Sequence, residues 1–334
     1  MRKYLLPKEG NFYRANLHAH TNMSDGSASP ELVKEVFKRM GYSIVAYTDH
    51  DIMLDRSHLN DEEFLALNGY EMEINGKGTP DWANMETCHI CLIALEPDNL
   101  KQVCWHRSDY LYAHAVEYRD QIQFYEDEPD YIREYTGECI SDMMKRGREH
   151  GFFVTYNHPT GSLENYTHYI NYHNMHAMEM YNGAEEYNPR VYDDMLRAGE
   201  RIYCIGGDDN HNRPTLYSDA GKAWTMIKAN SLDYRSITKA LMDGNFYATQ
   251  GPEIYEMYIE DGVLHVVTSD VVKILFTPGN RRATVSYPEE GKTVMTTASY
   301  KLFDDNIYIR VTVVDERGRT ANTNAYFIDE IKCW

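Results

Sequence analysis

Nine histidine, aspartate and glutamate residues gather in four short stretches of the first two thirds of the chain, mostly where a strand-like run would end. His18 and His20 form a His-x-His pair, with Asp25 in the Asp-Gly turn that follows. His50 lies within Thr48-Asp49-His50-Asp51. Glu71 closes Gly69-Tyr70-Glu71 and is followed by His89, while His158-Pro159 precedes Asp208-Asp209-Asn210-His211. Imidazole and carboxylate hold Zn, Mn or Fe without thiolates, and metals held close together activate water.

Each stretch alone is a weak signal. The imidazoles of His-x-His point to one side of a strand, but such pairs also occur as packed residues, and Asp-Gly is also simply a turn. Thr-Asp-His-Asp at a strand end is sharper, because three consecutive polar residues there have little packing use. Jointly, in this order and at these strand ends, the stretches point to a polynuclear metal site.

The elements that would position them alternate between apolar runs and amphipathic helices. Asn11–Leu17 reads as a strand that delivers His18 at its end. Ser29-Pro30 then starts a helix, Ser as N-cap and Pro at the first helical position, with Leu32, Val33, Val36, Phe37 and Met40 on one stripe and Gly41 as the stop. Ser43–Tyr47, Gly69–Ile74, His89–Leu95, Phe152–Tyr156, Ala177–Tyr181 and Ile202–Ile205 read as further strands, with helices near 140–149 and 189–199. Candidate ligands at the carboxyl ends of parallel strands are what a βα barrel presents. Residues 97–137, acidic and rich in Tyr, break the rhythm and read as an insertion over the barrel mouth. From residue 251 the pattern becomes short alternating runs between Asp-Gly, Pro-Gly and Arg-Gly turns, as in a small antiparallel β-sandwich. The expected division is therefore a barrel over 1–250 and a sandwich over 251–334.

Composition narrows the partners. A formal net charge of −19, from 52 acidic against 33 basic residues, repels long nucleic acid and anionic membrane. Divalent cations would offset that charge locally, so a small phosphorylated substrate is compatible with it. No run approaches the roughly 20 apolar residues of a membrane span. The opening Met1-Arg-Lys-Tyr-Leu-Leu-Pro7 is a poor secretory signal, and six cysteines with no disulfide-framework density fit a cytoplasmic, reduced setting. Cys88-His89-Ile90-Cys91 has redox-type spacing but flanks an apolar run, and reads as two buried small side chains.

With these motifs in family order, the chain over residues 12–250 resembles the PHP (polymerase and histidinol phosphatase) family of metal-dependent phosphoesterases. The opening Tyr13-Arg-Ala-Asn-Leu-His-Ala-His20 and the trailing β domain look most like its carbaryl-hydrolase-like branch. The resemblance implies a distorted (β/α)7 barrel and two to three divalent ions, Mn, Fe or Zn. One ion would take His18, His20, Glu71 and Asp209; a second would share Glu71 and add His89 and His158; a third would take Asp25, His50 and His211. Glu73 on the same strand face as Glu71, and Asp208 beside Asp209, are alternative alignments, set aside on the Gly-x-Glu and Asp-x-His spacings. Asp49, Asp51 and Asp208 are expected to hold imidazoles or water from behind the ligands.

The implied chemistry is hydrolysis of a small phosphate mono- or diester by a metal-activated hydroxide, that is, by metal-bound water. The same ligands could serve a carboxylic or carbamate ester or amide hydrolase, or a non-catalytic metal-binding interaction module. Arg107, Arg213 and Lys222 are candidate phosphate contacts, against a reading of each as a solvated surface charge. His106, His168, His173 and His176 lie outside the motifs, with His168 and His173 as candidate mouth residues. Asn182 is a candidate pocket residue, and Glu179 reads as packed structure.

Overall fold

The computed structural model describes residues 2–78, 81–183, 186–211 and 219–332. The strands that carry the site are β1 (Asn11–Asn16), β2 (Ile44–Tyr47), β3 (Leu65–Asn75), β4 (Thr87–Ala94), β5 (Phe152–Asn157), β6 (Ala177–Asn182) and β7 (Tyr203–Gly207), followed by β8 (Trp224–Ala229) and β9 (Phe246–Thr249). β1, β2 and β3 pair in parallel, as do β5, β6 and β7. Between these groups β4 runs antiparallel to both β3 and β5. β8 lies antiparallel to β1, and β9 antiparallel to β8.

One apolar cluster draws side chains from all nine strands, among them Ala15, Ile44, Leu67, Ile93, Phe153, Ala177, Ile205, Ile227 and Phe246. A flat sheet of this width could not bring them together, so the sheet curls round its own core. Among the described residues the ladder does not run on from β7 to β1. An isolated parallel bridge between Ala19 and Asn210 joins the two, with Asp209 N donating to His18 O at 3.0 Å and His20 N to Asn210 O at 3.0 Å. The architecture is thus a mixed α/β sheet; closure of the expected distorted (β/α)7 barrel is not seen among the described residues, and β4 is the strand that breaks the parallel pattern.

Period-two geometry makes the core and the site one continuous surface. Along β3, Leu65 and Leu67 enter the central cluster, and the same face then presents Gly69, Glu71 and Glu73. On β4 that face carries Ile93 in the core and His89 four residues earlier. Because β4 is reversed, its amino end lies where β3 and β5 have their carboxyl ends: His89 pairs with Glu73 on one side and Asn157 on the other. β5 repeats the gradient from Phe153 to Asn157, and β6 from Ala177 to Glu179.

The helices follow their local signals. Pro30–Arg39 is capped by Ser29, whose hydroxyl accepts from Leu32 N at 3.3 Å; it buries Val33, Val36 and Phe37 and gives way at Gly41, which has φ +80°. Tyr234–Met242, whose N-cap is Asp233, packs Ile237 and Leu241 into the central cluster. No helix among the described residues is long and apolar enough to cross a membrane.

The later residues build two layers. Thr320–Thr323, Tyr308–Val314, Lys273–Thr277 and Thr284–Ser286 extend the large sheet beyond β9. A separate four-stranded sheet joins Lys3–Tyr4, Ile254–Glu260, Val263–Val271 and Met295–Lys301. Ile254, Met257, Leu264 and Val266 from this sheet share an apolar cluster with Ile274, Phe276, Ile309, Val311 and Val313 from the other. The chain's first strand therefore lies in the layer formed by residues beyond 250.

Candidate metal centre

The nine sequence-selected residues converge at one rim of the curled sheet. Glu71 is at their centre, fully buried. Its Oε1 lies 3.2 Å from His18 Nε2, 3.2 Å from His89 Nδ1 and 3.3 Å from His158 Nε2. Its Oε2 lies 3.2 Å from His20 Nε2 and 3.5 Å from His50 Nδ1. Asp209 Oδ1 approaches His20 Nε2 at 2.9 Å and His18 Nε2 at 3.2 Å. Asp25 faces His211 at 3.3 Å, His20 at 3.5 Å and His50 at 3.9 Å.

Four groups of donor atoms lie within 4.8 Å of one another among the described residues: His18, His20, Glu71 and Asp209; His20, Asp25, His50 and His211; His50, Glu71 and His89; and His18, His158 and Glu179. The first coincides with one expected ligand set, and the second contains another with His20 added. Glu71, His89 and His158, expected as a set, are divided between the last two groups, although both imidazoles touch Glu71 Oε1.

These residues fit divalent cations on their own evidence. His20 Nδ1, His50 Nδ1, Glu71 Oε2 and Asp209 Oδ1 are buried and make no hydrogen bond, a costly state for polar atoms with no further partner. His18 Nε2 and His20 Nε2 lie 3.1 Å apart, nitrogens turned toward a common point. A nitrogen and carboxylate donor set without thiolate suits Zn, Mn or Fe. Burial opposes charge on His20 and His158, but the nearby Asp209 and Glu71 carboxylates outweigh it and lift them to about 10 and about 9 respectively. His50, desolvated and flanked by His20 and His89, is pushed down to about 3 despite Glu71. Burial opposes ionisation of Glu71 and Asp209 too, yet the surrounding imidazoles hold both well below the usual carboxylate range.

The backbone is strained where it delivers these groups. Asp51, His158 and Asp209 adopt left-handed φ of +54°, +26° and +49°, uncommon for residues other than glycine. At Gly207 a Cβ would stand 3.0 Å from both Glu179 Oε1 and His18 Cβ, so only glycine lets β7 approach this pair.

The supporting contacts differ from those expected. Asp49, Asp51 and Asp208 do not hold imidazoles. Asp49 Oδ1 accepts from Thr21 N at 2.7 Å and Ser24 Oγ at 2.9 Å, and Arg56 donates to Oδ2 at 3.1 Å, bracing the loop that bears His20 and Asp25. Asp51 forms a buried ion pair with Arg133 of the insertion. Asp208 accepts from the backbone of Gly221, Lys222 and Ala223. The carboxylate that holds an imidazole is Glu179, read from sequence as packing: its Oε1 lies 2.9 Å from His18 Nδ1, and its Oε2 accepts from His158 N and Asn182 Nδ2, each at 3.0 Å. Its place two residues beyond Ala177 on an inward-facing strand position was the available signal.

A cleft of about 590 Å³ opens on the cluster. Asp25, His50, His89, His158, Asp209 and His211 line it around the buried Glu71, with Glu73, Tyr112 and Asn182 beside them; no lysine or arginine is among its described lining residues. Arg107 is engaged elsewhere, with Asp130 at 2.7 Å and the Glu126 and Glu128 carbonyls, and Lys222 does not line the cleft. Arg213 lies outside the described residues. His168 and His173 are not mouth residues either: His168 caps the short helix Tyr166–Tyr169 and His173 pairs with Glu200 at 2.7 Å. His176 accepts from Val154 N at 3.0 Å within the fold, and His106 stays with Ser108 in the insertion. Cys88 and Cys91 are buried free thiols.

No protein-family model matches the chain, and no curated protein does. Solved structures similar to it include a two-domain protein from Bacteroides vulgatus containing a predicted PHP-like metal-dependent phosphoesterase, at 16% identity and TM-score 0.48 over 96% of this chain and 98% of that one. A candidate metal-dependent phosphoesterase from Bifidobacterium adolescentis aligns at 14% identity and TM-score 0.40, over 71% of this chain and 98% of its own. An amidohydrolase from Chromobacterium violaceum, with bound sulfate and no metal, aligns at 15% identity and TM-score 0.38, over 59% and 87%.

Proposed function

We propose that the chain is a metal-dependent phosphoesterase of PHP type, on the carbaryl-hydrolase-like plan, acting on a small phosphate mono- or diester. Glu71 carries this reading. A buried carboxylate is neutralised by one counter-charge, yet this one is met by five imidazoles from separate parts of the chain, an excess that suits a carboxylate bridging cations. Two to three divalent ions, Mn, Fe or Zn, would be held by the nine residues. When bound, such ions supply a nucleophile from water at neutral pH and offset charge developing on the phosphoryl oxygens.

The chain's own residues do the rest. Glu179 orients the His18 ring and sets which nitrogen carries the proton. His18, His20 and Glu71 are shut off from solvent, while His89, His158 and Asp209 remain partly exposed at the cleft, so substrate meets the cluster from their side. Asn75, Thr87, Thr160 and Asn182 offer neutral polar contacts to its alcohol portion, and Met85 and Leu163 apolar ones.

The proposal takes residues 1–250 as a distorted barrel unit and 251–334 as a β-sandwich unit. It places the protein in the cytoplasm, supported by its five described free thiols, with a small phosphorylated molecule as partner. A second reading, cleavage of a carboxylic or carbamate ester or amide, is favoured by one observation: the described lining has no basic side chain to meet an anion. Turnover of p-nitrophenyl phosphate, bis(p-nitrophenyl) phosphate and p-nitrophenyl acetate with Mn, alongside elemental analysis, separates the two. Phosphate ester cleavage with two to three metals per chain is expected; activity on the acetate alone, or full activity in metal-free protein, overturns the proposal.

A further inference from the structure

The insertion between β4 and β5 places one aromatic ring at the junction of two clefts. Tyr112 lines the main cleft over the metal cluster and also a side cleft of about 600 Å³, and Asp25, Glu73 and Asn75 border both. The side cleft continues outward to Asp109, Tyr110 and the Asp51–Arg133 pair. Its cation is already engaged, since Arg133 donates to Asp51 within the fold. Two spaces of similar size therefore meet beside the cluster, along a border to which Tyr112 contributes the bulkiest side chain.

This ring is held from three sides. Its plane centre lies 5.1 Å from that of His50. Two residues on, His114 N donates to Ser24 O at 3.1 Å, tying the backbone to the loop that bears Asp25. Two residues before, Tyr110 is stacked under the Arg133 guanidinium at 4.0 Å, and its hydroxyl donates to Tyr131 O at 3.0 Å. Leu111 packs on the cluster of Ile52, Trp105, Ala115 and Ile122. Tyr110 and Ala113 both take left-handed φ, of +71° and +49°, which turns the chain on either side of the Leu111-Tyr112 pair. The Tyr112 hydroxyl makes no hydrogen bond to a described residue, so the position is maintained by the ring and its backbone.

We infer that Tyr112 is a specificity-determining wall: it confines the alcohol portion of the ester to the main cleft and excludes esters whose alcohol would extend into the side cleft. This rests on the phosphoesterase reading for its substrate class, compact and uncharged alcohols esterified to phosphate. Because neither cleft offers an unpaired described cation, an alcohol bearing a second anionic group gains nothing there.

Kinetics on a compact and a bulky monoester, p-nitrophenyl phosphate and phenolphthalein monophosphate, test it. Wild type should prefer the compact ester. Tyr112→Ala should raise the bulky-to-compact ratio of kcat/KM at least tenfold, and Tyr112→Phe, which keeps the wall, should hold the wild-type ratio. Adding Asp109→Trp to Tyr112→Ala refills the side cleft and should return the ratio toward wild type. Calorimetric binding of phenylphosphonate against diphenylmethylphosphonate reads the same selectivity without turnover. A wild type indifferent to size, or a Tyr112→Ala ratio unchanged at native metal content and melting temperature, overturns the inference. If only the corresponding acetates are cleaved, the phosphoester reading falls, and the size ratio measured on the acetates still decides the role of Tyr112.

Discussion

Glu179→Gln is the substitution whose outcome follows most directly from the geometry. Glu179 Oε1 faces His18 Nδ1 at 2.9 Å, while Oε2 accepts from two donors, His158 N and Asn182 Nδ2. As an acceptor, the carboxylate keeps the proton on His18 Nδ1 and leaves Nε2, which points at Glu71, His20 and Asp209, free to ligate. Glutamine has nearly the same shape but must put its NH2 somewhere. Turned toward His158 and Asn182, it sets donor against donor. Turned toward His18, it donates to Nδ1 and drives the ring proton onto Nε2, the nitrogen that metal needs. The first keeps the proton on Nδ1 but loses the two bonds that hold the side chain behind the ring, and the second loses the ligating tautomer, so either weakens the site. Loss of a supporting carboxylate behind a metal-bound histidine costs roughly 10–100-fold in metal affinity, or roughly 1.4–2.7 kcal/mol. Competition against a chromophoric chelator should show weaker binding by that factor at one site, with stoichiometry unchanged, and activity should recover in part at high Mn. An affinity within twofold of wild type would refute the assignment of Glu179 as the group that sets the His18 tautomer.

Three further outcomes follow from the same site and its surroundings. His20→Ala and Asp209→Ala should each lower turnover by roughly a thousandfold or more, the several kcal/mol a lost metal is worth, while thermal unfolding stays cooperative; undiminished turnover in both would reject the site. Glu164 is buried against the hydroxyls of Tyr135, Tyr156 and Tyr172, which donate to it at 2.9, 2.5 and 2.5 Å. Burial lifts it to about 7 although those bonds favour the anion. A folded-state value above the unfolded one means the folded chain keeps a proton the unfolded chain has lost, so this residue's contribution falls as pH rises from about 4.5 to about 7, by roughly 3 kcal/mol. Urea unfolding of wild type and Glu164→Gln across that window should show the steeper decline in wild type; parallel curves would contradict it. Arg133→Met leaves Asp51 buried without its partner and should cost about 3–5 kcal/mol, most of it regained on adding Asp51→Asn; equal stability of the single and double variants by urea unfolding would count against a structural ion pair there.

The residue order carried much of the local plan. Ser29-Pro30 and Gly41 marked a helix that forms between them, and Gly199, left-handed, ends the helix read near 189–199, because capping and left-handed glycine are decided within a few residues. Nine ligand-type residues at strand ends were legible for a similar reason: several consecutive polar residues after an apolar run have no packing partner to explain them. The supporting contacts were not legible. Asp49, Asp51 and Asp208 stand beside histidines in sequence, yet each turns to a loop, an insertion or a backbone segment, whereas Glu179, 161 positions from His18, is the one that reaches its ring.

Strand direction and register account for the difference. Alternation tells which side chains share a face, and so placed Glu73 with Glu71; that the strand begins earlier, with Leu65 and Leu67 on the same face, came from the structure. Alternation does not tell which way a neighbouring strand runs, so His89, read as the first residue of its strand, gave no sign that the strand is reversed and enters the rim where β3 and β5 end. Which carboxylate meets which imidazole depends on the curl of the sheet, a property of all nine strands packing one core, while the insertion pairs Arg107 with its own Asp130 and brings Tyr112 beside His50. Ligand chemistry is thus written locally, in residue types a few positions apart, while the partners that orient those ligands are chosen by contacts between distant segments.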